Sequence, residues 1–147
     1  AGTGAVGIEA LSRGARRAYF AEIAKPPLTA LRDNLERLGI GPGIDSEALV
    51  EPAGTLALLR RLLKQGIQLD VVFLDPPYSD QAAYQTTLQF LAEQPVLSIE
   101  AIIVVEHARR MPLLKVAENL QPFRSIQQGE AAVTFFHCST SGLKMGG

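Results

Sequence analysis

The chain has 147 residues, which gives room for one domain with a hydrophobic core and hardly for two. Apolar residues make up 47% and charged residues 20%, an ordinary globular balance, and no apolar run is long enough to cross a bilayer. The net charge of −1 gives no overall attraction to nucleic acid, and the single cysteine, Cys138, excludes an internal disulfide.

The first residues contain a glycine pattern of the form G-x-G-x-x-G, Gly2–Gly7, followed by a predicted helix over Val6–Arg13. Glycines let the backbone approach a ligand closely, and the start of a helix offers free N–H groups to it. The next predicted strand, Ala18–Glu22, ends in an acid that follows the first glycine at the spacing of a ribose-binding carboxylate. The pattern favours a nucleotide-type ligand over an unrelated turn with a surface acid.

Helix and strand patterns alternate through the rest of the chain. Helices are predicted from Pro26–Pro27 to Gly39, from Gly54 to Gly66, over Ala82–Gln94 and over Met111–Leu120, and strands over Ala48–Val50, Leu69–Leu74, Ala101–Glu106, Phe123–Gln128 and Ala131–His137. The apolar runs Leu69–Leu74 and Ala101–Glu106 are typical of strands buried on both faces. The alternation predicts a single α/β domain over 1–147, with a mostly parallel doubly wound sheet and a C-terminal antiparallel hairpin around Gly129.

One strand of this sheet is missing from the sequence. A strand should precede the glycine loop, but the chain begins at Ala1 without an initiator methionine. In a doubly wound sheet this first strand is central, and without it two neighbouring strands keep unpaired edges. We therefore expect the chain to be part of a longer functional protein, truncated at its N-terminus.

The strand Leu69–Leu74 ends at the tetrapeptide Asp75-Pro76-Pro77-Tyr78. Proline cannot donate to a ladder and restricts the residue before it, so the strand must stop near Asp75. The result is a carboxylate, a rigid run of carbonyls and an aromatic ring at the carboxyl end of a strand, where open α/β sheets bind ligands. The alternative is a simple strand-ending turn, since Asp and Pro favour turns.

With these motifs the chain resembles the class I S-adenosylmethionine-dependent methyltransferases, which have a Rossmann-like fold. Tetrapeptides of the form (Asp/Asn)-Pro-Pro-(Tyr/Phe) mark members that methylate exocyclic amines of nucleobases. The segment Ala1–Ala15, with Glu22, Asn34–Leu35, Val72–Tyr78 and Val104–Glu106, is similar to the bacterial small-subunit rRNA guanine-N2 methyltransferases of the RsmD type. The resemblance covers nearly the whole chain.

The resemblance implies a binding site for S-adenosylmethionine. The glycine loop would pass close to the methionine part of the cofactor, and Glu22 would accept hydrogen bonds from both ribose hydroxyls. Ala53 would lie near the adenine, although Glu51–Gly54 lacks the polar residue that the family usually has there. The implied cofactor-binding residues are Ala1, Gly2, Thr3, Gly4, Glu22, Ala53 and Asp75.

The resemblance assigns methyl transfer to Asp75, Pro76, Pro77 and Tyr78. Asp75 and the Pro76 carbonyl would accept the two N–H bonds of the target amine and orient its lone pair toward the sulfonium methyl, chiefly a proximity effect. The negative field of Asp75 favours the positive charge that develops on nitrogen, and Tyr78 would stack on a base turned out of its helix. No metal is required.

The implied function is methylation of the N2 amine of a guanine in 16S rRNA, with ribosomal RNA or a small-subunit assembly particle as partner. A cytoplasmic location without membrane contact is expected.

The family's N-terminal arm, which has basic residues that bind RNA, is not in this sequence, so the low net charge does not argue against an RNA substrate. Gln127-Gln128-Gly129 stands where relatives often have Tyr-Gly, which weakens the subfamily assignment slightly.

Other functions stay open at this stage. A nicotinamide-dependent dehydrogenase would explain the glycine pattern and Glu22 but not the tetrapeptide, and His107 and His137 are interpreted as structural. A DNA or RNA adenine-N6 methyltransferase would use a similar tetrapeptide, although the DNA enzymes usually have an inserted recognition region for which this chain lacks room. A non-catalytic RNA-binding relative would keep the fold without turnover.

Overall fold

The structure is a computed structural model that describes residues 2, 4–41, 46–111 and 117–139. In these residues helices and strands follow one another in the order α1 (Ala5–Ser12), β1 (Ala18–Ala21), α2 (Lys25–Arg37), β2 (Ala48–Glu51), α3 (Thr55–Lys64), β3 (Leu69–Leu74), α4 (Gln81–Glu93), β4 (Leu97–Ala108), β5 (Leu120–Gln128) and β6 (Ala131–Cys138). The order confirms the predicted α/β class and the C-terminal hairpin.

The chain groups into two compact units, Ala1–Arg61 and Leu62–Gly147, and the prediction of one domain over 1–147 stays a prediction. The strands form two separately hydrogen-bonded sheets, β1–β2 and β3–β4–β6–β5. In the four-stranded sheet, β3 and β5 are the edge strands.

The first unit has a small core on its parallel pair of strands. Phe20 of β1 and Leu31 of α2 are 3% and 0% exposed, and Leu35 and Ala48 are buried beside them. Burying a leucine or phenylalanine side chain contributes about 1.5–3 kcal/mol. The core fixes where β1 and β2 end, and therefore where the residues that follow each strand lie.

The second unit is a mixed sheet covered by α4. Strands β3 and β4 are parallel, whereas β6 pairs antiparallel with both β4 and β5. Leu88 and Leu91 of α4 are buried, and Val96, Ile103 and Val105 are fully buried. Because β3 and β4 are parallel, their carboxyl ends lie at the same edge of the sheet.

The prediction that β3 is buried on both faces is wrong. Val71 is 64% exposed and Phe73 is 39% exposed. The two residues are two positions apart in β3 and therefore lie on the same face of the strand, which is left partly uncovered. Strand β4 begins earlier than predicted, and from Ala101 its side chains alternate between buried and half-buried. Apolar composition identified both strands but not how much of each face the rest of the unit covers.

The predicted helix over Met111–Leu120 is wrong at its end. Leu120 is the first residue of β5 and pairs with Cys138, and the residues just before it form a turn. Residues 112–116 lie outside the described residues. Cross-strand pairing with β6 therefore overrides the local helical pattern. No helix in the described part of the chain is long and apolar enough to cross a membrane.

Candidate active site

The first group of candidate residues surrounds Glu22, which directly follows β1. The backbone N–H of Gly2 donates to Glu22 Oε1 at 2.8 Å, and that of Ala24 donates to Oε2 at 3.1 Å. Burial raises the pKa of Glu22, but the N–H bonds from Gly2 and Ala24, together with the charge of the chain's amino terminus, lower it, so the pKa lies below its ordinary value. The structure thus joins the first glycine of the loop to the acid that the sequence paired with it.

The glycines of the loop have backbone conformations that other residues adopt with strain. Gly2 and Gly4 have φ angles of 55° and 83°, and Gly4 is the N-cap of α1. A Cβ at Gly4 would collide with Leu31, whereas a Cβ at Gly2 would meet nothing within 4 Å. The backbone at Gly2 therefore has open space on one side, as close approach of a ligand requires. Ala1 and Thr3 lie outside the described residues.

Ala53 follows β2, at the same edge of the two-stranded sheet as Glu22. The N–H of Glu22 donates to the Glu51 carbonyl at 3.2 Å, and the N–H of Ala53 donates to Glu51 Oε1, also at 3.2 Å. Arg61 pairs with the other Glu51 oxygen at 3.3 Å. Ala53 is exposed, but its N–H already has an acceptor, so its role in binding adenine stays a prediction.

The second group lies at the carboxyl ends of β3 and β4. Leu74 pairs in parallel with Val105, so Asp75, which follows β3, lies beside Glu106, two residues before the end of β4. Desolvation, followed by the charge of the Glu106 carboxylate, raises the pKa of Asp75 above its ordinary value. Because these two carboxylates are neighbours, this end of the sheet is rich in hydrogen-bond acceptors and negative charge.

Tyr78 is 43% exposed, and its hydroxyl lies close enough to the Glu106 carboxylate for that charge to affect its pKa. Desolvation and the carboxylates of Glu106 and Asp75 raise the pKa of Tyr78, so the hydroxyl keeps its proton at neutral pH. The exposed ring is suited to stacking on a planar group. The structure therefore brings together the two side chains at the ends of the predicted tetrapeptide.

Sequence reasoning missed Tyr84, in the first turn of α4. Its hydroxyl lies 3.0 Å from the Pro76 carbonyl oxygen and 2.8 Å from the Glu106 carbonyl oxygen, and the residue is 3% exposed. Desolvation, followed by the negative charge of Asp75, raises the pKa of Tyr84 to about 12. A tyrosine on the buried face of a predicted helix must find a hydrogen-bond partner, and that requirement was the available signal.

The two histidines occupy structural positions. His107 is 6% exposed, and its ring nitrogens contact the Ala108 carbonyl at 2.9 Å and Thr134 Oγ1 at 2.8 Å. His137 stacks on Phe123 with ring centroids 3.9 Å apart. Among the residues that the structure describes, no cluster of three His, Cys, Asp or Glu side chains could hold a metal ion.

The α/β fold, the acid after β1 and the acid-Pro-Pro-aromatic sequence after β3 are together those of a class I methyltransferase. The crystal structure of the "putative methylase HI0767" from Haemophilus influenzae superposes with a TM-score of 0.75 at 31% identity, covering 94% of this chain and 82% of that one. The chain belongs to the family described as Conserved hypothetical protein 95, whose family model matches residues 1–137.

Two curated relatives are named Ribosomal RNA small subunit methyltransferase D. The relative from Haemophilus influenzae is 36% identical over 114 residues, which are 78% of this chain and 56% of the relative. The relative from Escherichia coli K12 is 30% identical over 142 residues, 97% of this chain and 67% of the relative. The chain thus spans little more than half the length of the first relative and two thirds of the second.

Proposed function

We propose that this protein transfers a methyl group from S-adenosylmethionine to the N2 amine of a guanine in small-subunit ribosomal RNA. The observation that carries the proposal is the row of acceptors at the carboxyl ends of β3 and β4: the Asp75 carboxylate, the Pro76 carbonyl and the Glu106 carboxylate. Such a row suits a substrate edge that presents several N–H donors.

The residues around Glu22 fit the cofactor. A carboxylate offers about four acceptor positions, and the N–H bonds from Gly2 and Ala24 hold the Glu22 carboxylate in a fixed orientation and ionised. Two vicinal ribose hydroxyls are donors that such a carboxylate binds well. The open space beside Gly2 leaves room for the amino-acid part of the ligand. When bound, S-adenosylmethionine supplies an electrophilic methyl group on a sulfonium.

The tetrapeptide after β3 would hold the target amine. Asp75 and the Pro76 carbonyl accept its two N–H bonds, which turns the nitrogen lone pair away from both acceptors and toward the methyl group. The C–N bond would form as the C–S bond of the sulfonium breaks, with S-adenosylhomocysteine as the leaving group. The alkylated nitrogen would become positive before it loses one proton to solvent, and the negative charge of Asp75 and Glu106 favours that positive charge. The exposed ring of Tyr78 stacks on the base.

The position of the Glu106 carboxylate favours guanine over adenine as the target base. On the Watson–Crick edge of guanine the N2 amine stands next to the N1–H group, so two kinds of donor face the protein. On adenine the N6 amine stands next to N1, which is an acceptor, and a carboxylate placed against it would be repelled. A second carboxylate beside Asp75 therefore matches the guanine edge.

Two observations support ribosomal RNA as the acceptor. The relatives from Haemophilus influenzae and Escherichia coli are named for methylation of small-subunit ribosomal RNA. In addition, Arg109 and Arg110 directly follow β4, at the same sheet edge as Asp75, and both are exposed. Positive charges at this edge suit RNA phosphates. We propose naked RNA or a small-subunit assembly particle as partner and the cytoplasm as the location.

The test is methyl transfer from labelled S-adenosylmethionine to small-subunit RNA, to assembly particles and to DNA, followed by analysis of the labelled nucleoside. The expected product is N2-methylguanosine, formed by the wild type and at a much lower rate by Asp75→Ala. Label in N6-methyladenosine, or in DNA alone, would contradict the proposal. Thermal stabilisation by NAD but not by S-adenosylhomocysteine would exclude the cofactor assignment.

A further inference from the structure

The Pro76–Pro77 segment has no backbone N–H group, so hydrogen bonds can tie its backbone in place only through its carbonyl oxygens. Both carbonyls receive a bond from the start of α4. The N–H of Asp80 donates to the Pro77 oxygen at 2.8 Å, and the hydroxyl of Tyr84 donates to the Pro76 oxygen at 3.0 Å. The first turn of α4 therefore holds the backbone that follows β3.

The start of α4 is itself fixed. Asp80 is the N-cap of the helix, and its side chain accepts a bond from the N–H of Ala83 at 3.1 Å. Tyr84, one turn into the helix, is 3% exposed. A hydroxyl in so closed a position keeps its direction, and water has little access to replace it.

The Tyr84 hydroxyl also links the residues that follow β3 to the neighbouring strand β4. It contacts the Glu106 carbonyl oxygen at 2.8 Å as well as the Pro76 carbonyl oxygen. Since a hydroxyl has one proton, the two carbonyls share a single donor. Each carbonyl oxygen has two lone pairs, so the contact with Tyr84 leaves the Pro76 oxygen a second acceptor position for an N–H of the substrate.

We infer that Tyr84 is a positioning residue for methyl transfer: its hydroxyl fixes the Pro76 carbonyl oxygen at the point where the target amine donates to it. The inference rests on the proposed function, because it concerns the same amine-holding site, and Tyr84 acts through Pro76 without touching substrate or cofactor. Burial and the nearby charge of Asp75 raise the pKa of Tyr84 to about 12, so the hydroxyl remains a donor at any assay pH below that value.

The test compares Tyr84→Phe with Thr134→Val. Both substitutions remove one buried hydroxyl from the same unit, since Thr134 is 7% exposed and its hydroxyl contacts the His107 ring. For each variant we would measure the melting temperature, the Kd of S-adenosylmethionine, and kcat and KM for RNA well below the melting temperature. Both variants should melt earlier than the wild type.

We expect Tyr84→Phe alone to lower kcat, by about 10–100-fold, because small displacements of a positioning group cost this much in rate. The cofactor Kd and the KM for RNA should stay within about twofold of the wild type, since the tyrosine contacts neither ligand. A kcat for Tyr84→Phe equal to that of Thr134→Val would overturn the inference and leave the hydroxyl a purely structural role.

The proposed function and this inference fail in different ways. A wild type that methylates adenine rather than guanine contradicts the proposed substrate, and the comparison of the two variants is then made on adenine, where a lower kcat for Tyr84→Phe still supports the inference. A wild type that transfers no methyl group to any amine of RNA or DNA overturns both.

Discussion

Two acids in this molecule occupy the same kind of position and have opposite electrostatic surroundings. Glu22 and Asp75 each directly follow a strand of a parallel pair, β1 and β3 respectively. Glu22 receives two backbone N–H bonds, and its pKa is lowered. Asp75 is exposed, but partial desolvation and then the charge of Glu106 raise its pKa.

The difference shows that position on a sheet does not determine what an acid can do. A carboxylate whose charge is already balanced by N–H donors is a stable anchor for hydroxyl groups, which suits binding. A carboxylate that faces a second acid retains an uncompensated negative field, which suits a nitrogen that becomes positive during a reaction. The neighbours of each acid therefore support a binding role for Glu22 and a catalytic role for Asp75.

The largest effect is expected from Asp75→Ala. We expect kcat to fall by about 10²–10³-fold, because alanine supplies neither an acceptor for the target amine nor the negative charge that favours the developing cation. The Kd of S-adenosylhomocysteine should change little. Steady-state kinetics and calorimetric titration measure the two quantities, and Asp70→Ala, an exposed residue of β3, is the control. A variant that keeps its turnover would remove Asp75 from the chemistry.

Glu22→Gln should have the complementary effect. Hydrogen bonds to a charged group contribute about 1.5–3 kcal/mol, so cofactor affinity should fall by about 10–100-fold. The rate at saturating cofactor should remain close to that of the wild type. Calorimetric titration measures the affinity, with the exposed Glu36→Gln of α2 as control. Unchanged affinity would show that Glu22 is not the ribose ligand.

Glu106→Gln tests whether the charge of Glu106 keeps the pKa of Asp75 raised. After desolvation, the Glu106 charge is the next cause of the raised pKa of Asp75, so its removal should move the acid limb of the kcat profile to lower pH. Glu100→Gln, in the same strand and exposed, should leave the limb in place. An unmoved limb in Glu106→Gln would mean that the rate does not follow the ionisation of Asp75.

The smallest effects, on stability, should have opposite signs. An acid whose pKa is lower in the folded than in the unfolded state stabilises the fold at a pH above its unfolded pKa. This stabilisation is lost as the pH falls through the folded-state pKa. Glu22→Gln should therefore lower the melting temperature at pH 7. An acid whose pKa is higher in the folded than in the unfolded state stabilises the fold at a pH below its unfolded pKa. This stabilisation is lost as the pH rises through the folded-state pKa. Asp75→Asn should therefore raise the melting temperature at pH 7. Calorimetry at pH 7 and pH 3 measures both, and equal signs at pH 7 would contradict the contrast.

The features that local sequence fixes were predicted well. The end of β3 follows from Pro76 and Pro77, which cannot continue a ladder, and the hairpin follows from Gly129 between two strand patterns. The pairing of Gly2 with Glu22 followed from spacing, and the hydrogen bond between them supports it.

The features that depend on distant parts of the chain were not predicted. Leu120 joins β5 because Cys138 pairs with it, which no pattern within 111–120 indicates. The exposure of Val71 depends on what packs against its face of β3, which the local sequence does not contain. The contact of Tyr84 with the Glu106 carbonyl joins positions 22 residues apart, and it depends on where α4 starts.

The open edge of β3 leaves room for a further strand. Among the described residues, β4 is the one strand hydrogen-bonded to β3, and the apolar side chains of Val71 and Phe73 are exposed on one face of β3. Such an edge is a template for strand addition. The strand that ends at Asp75 is therefore also the place where another strand can join this sheet.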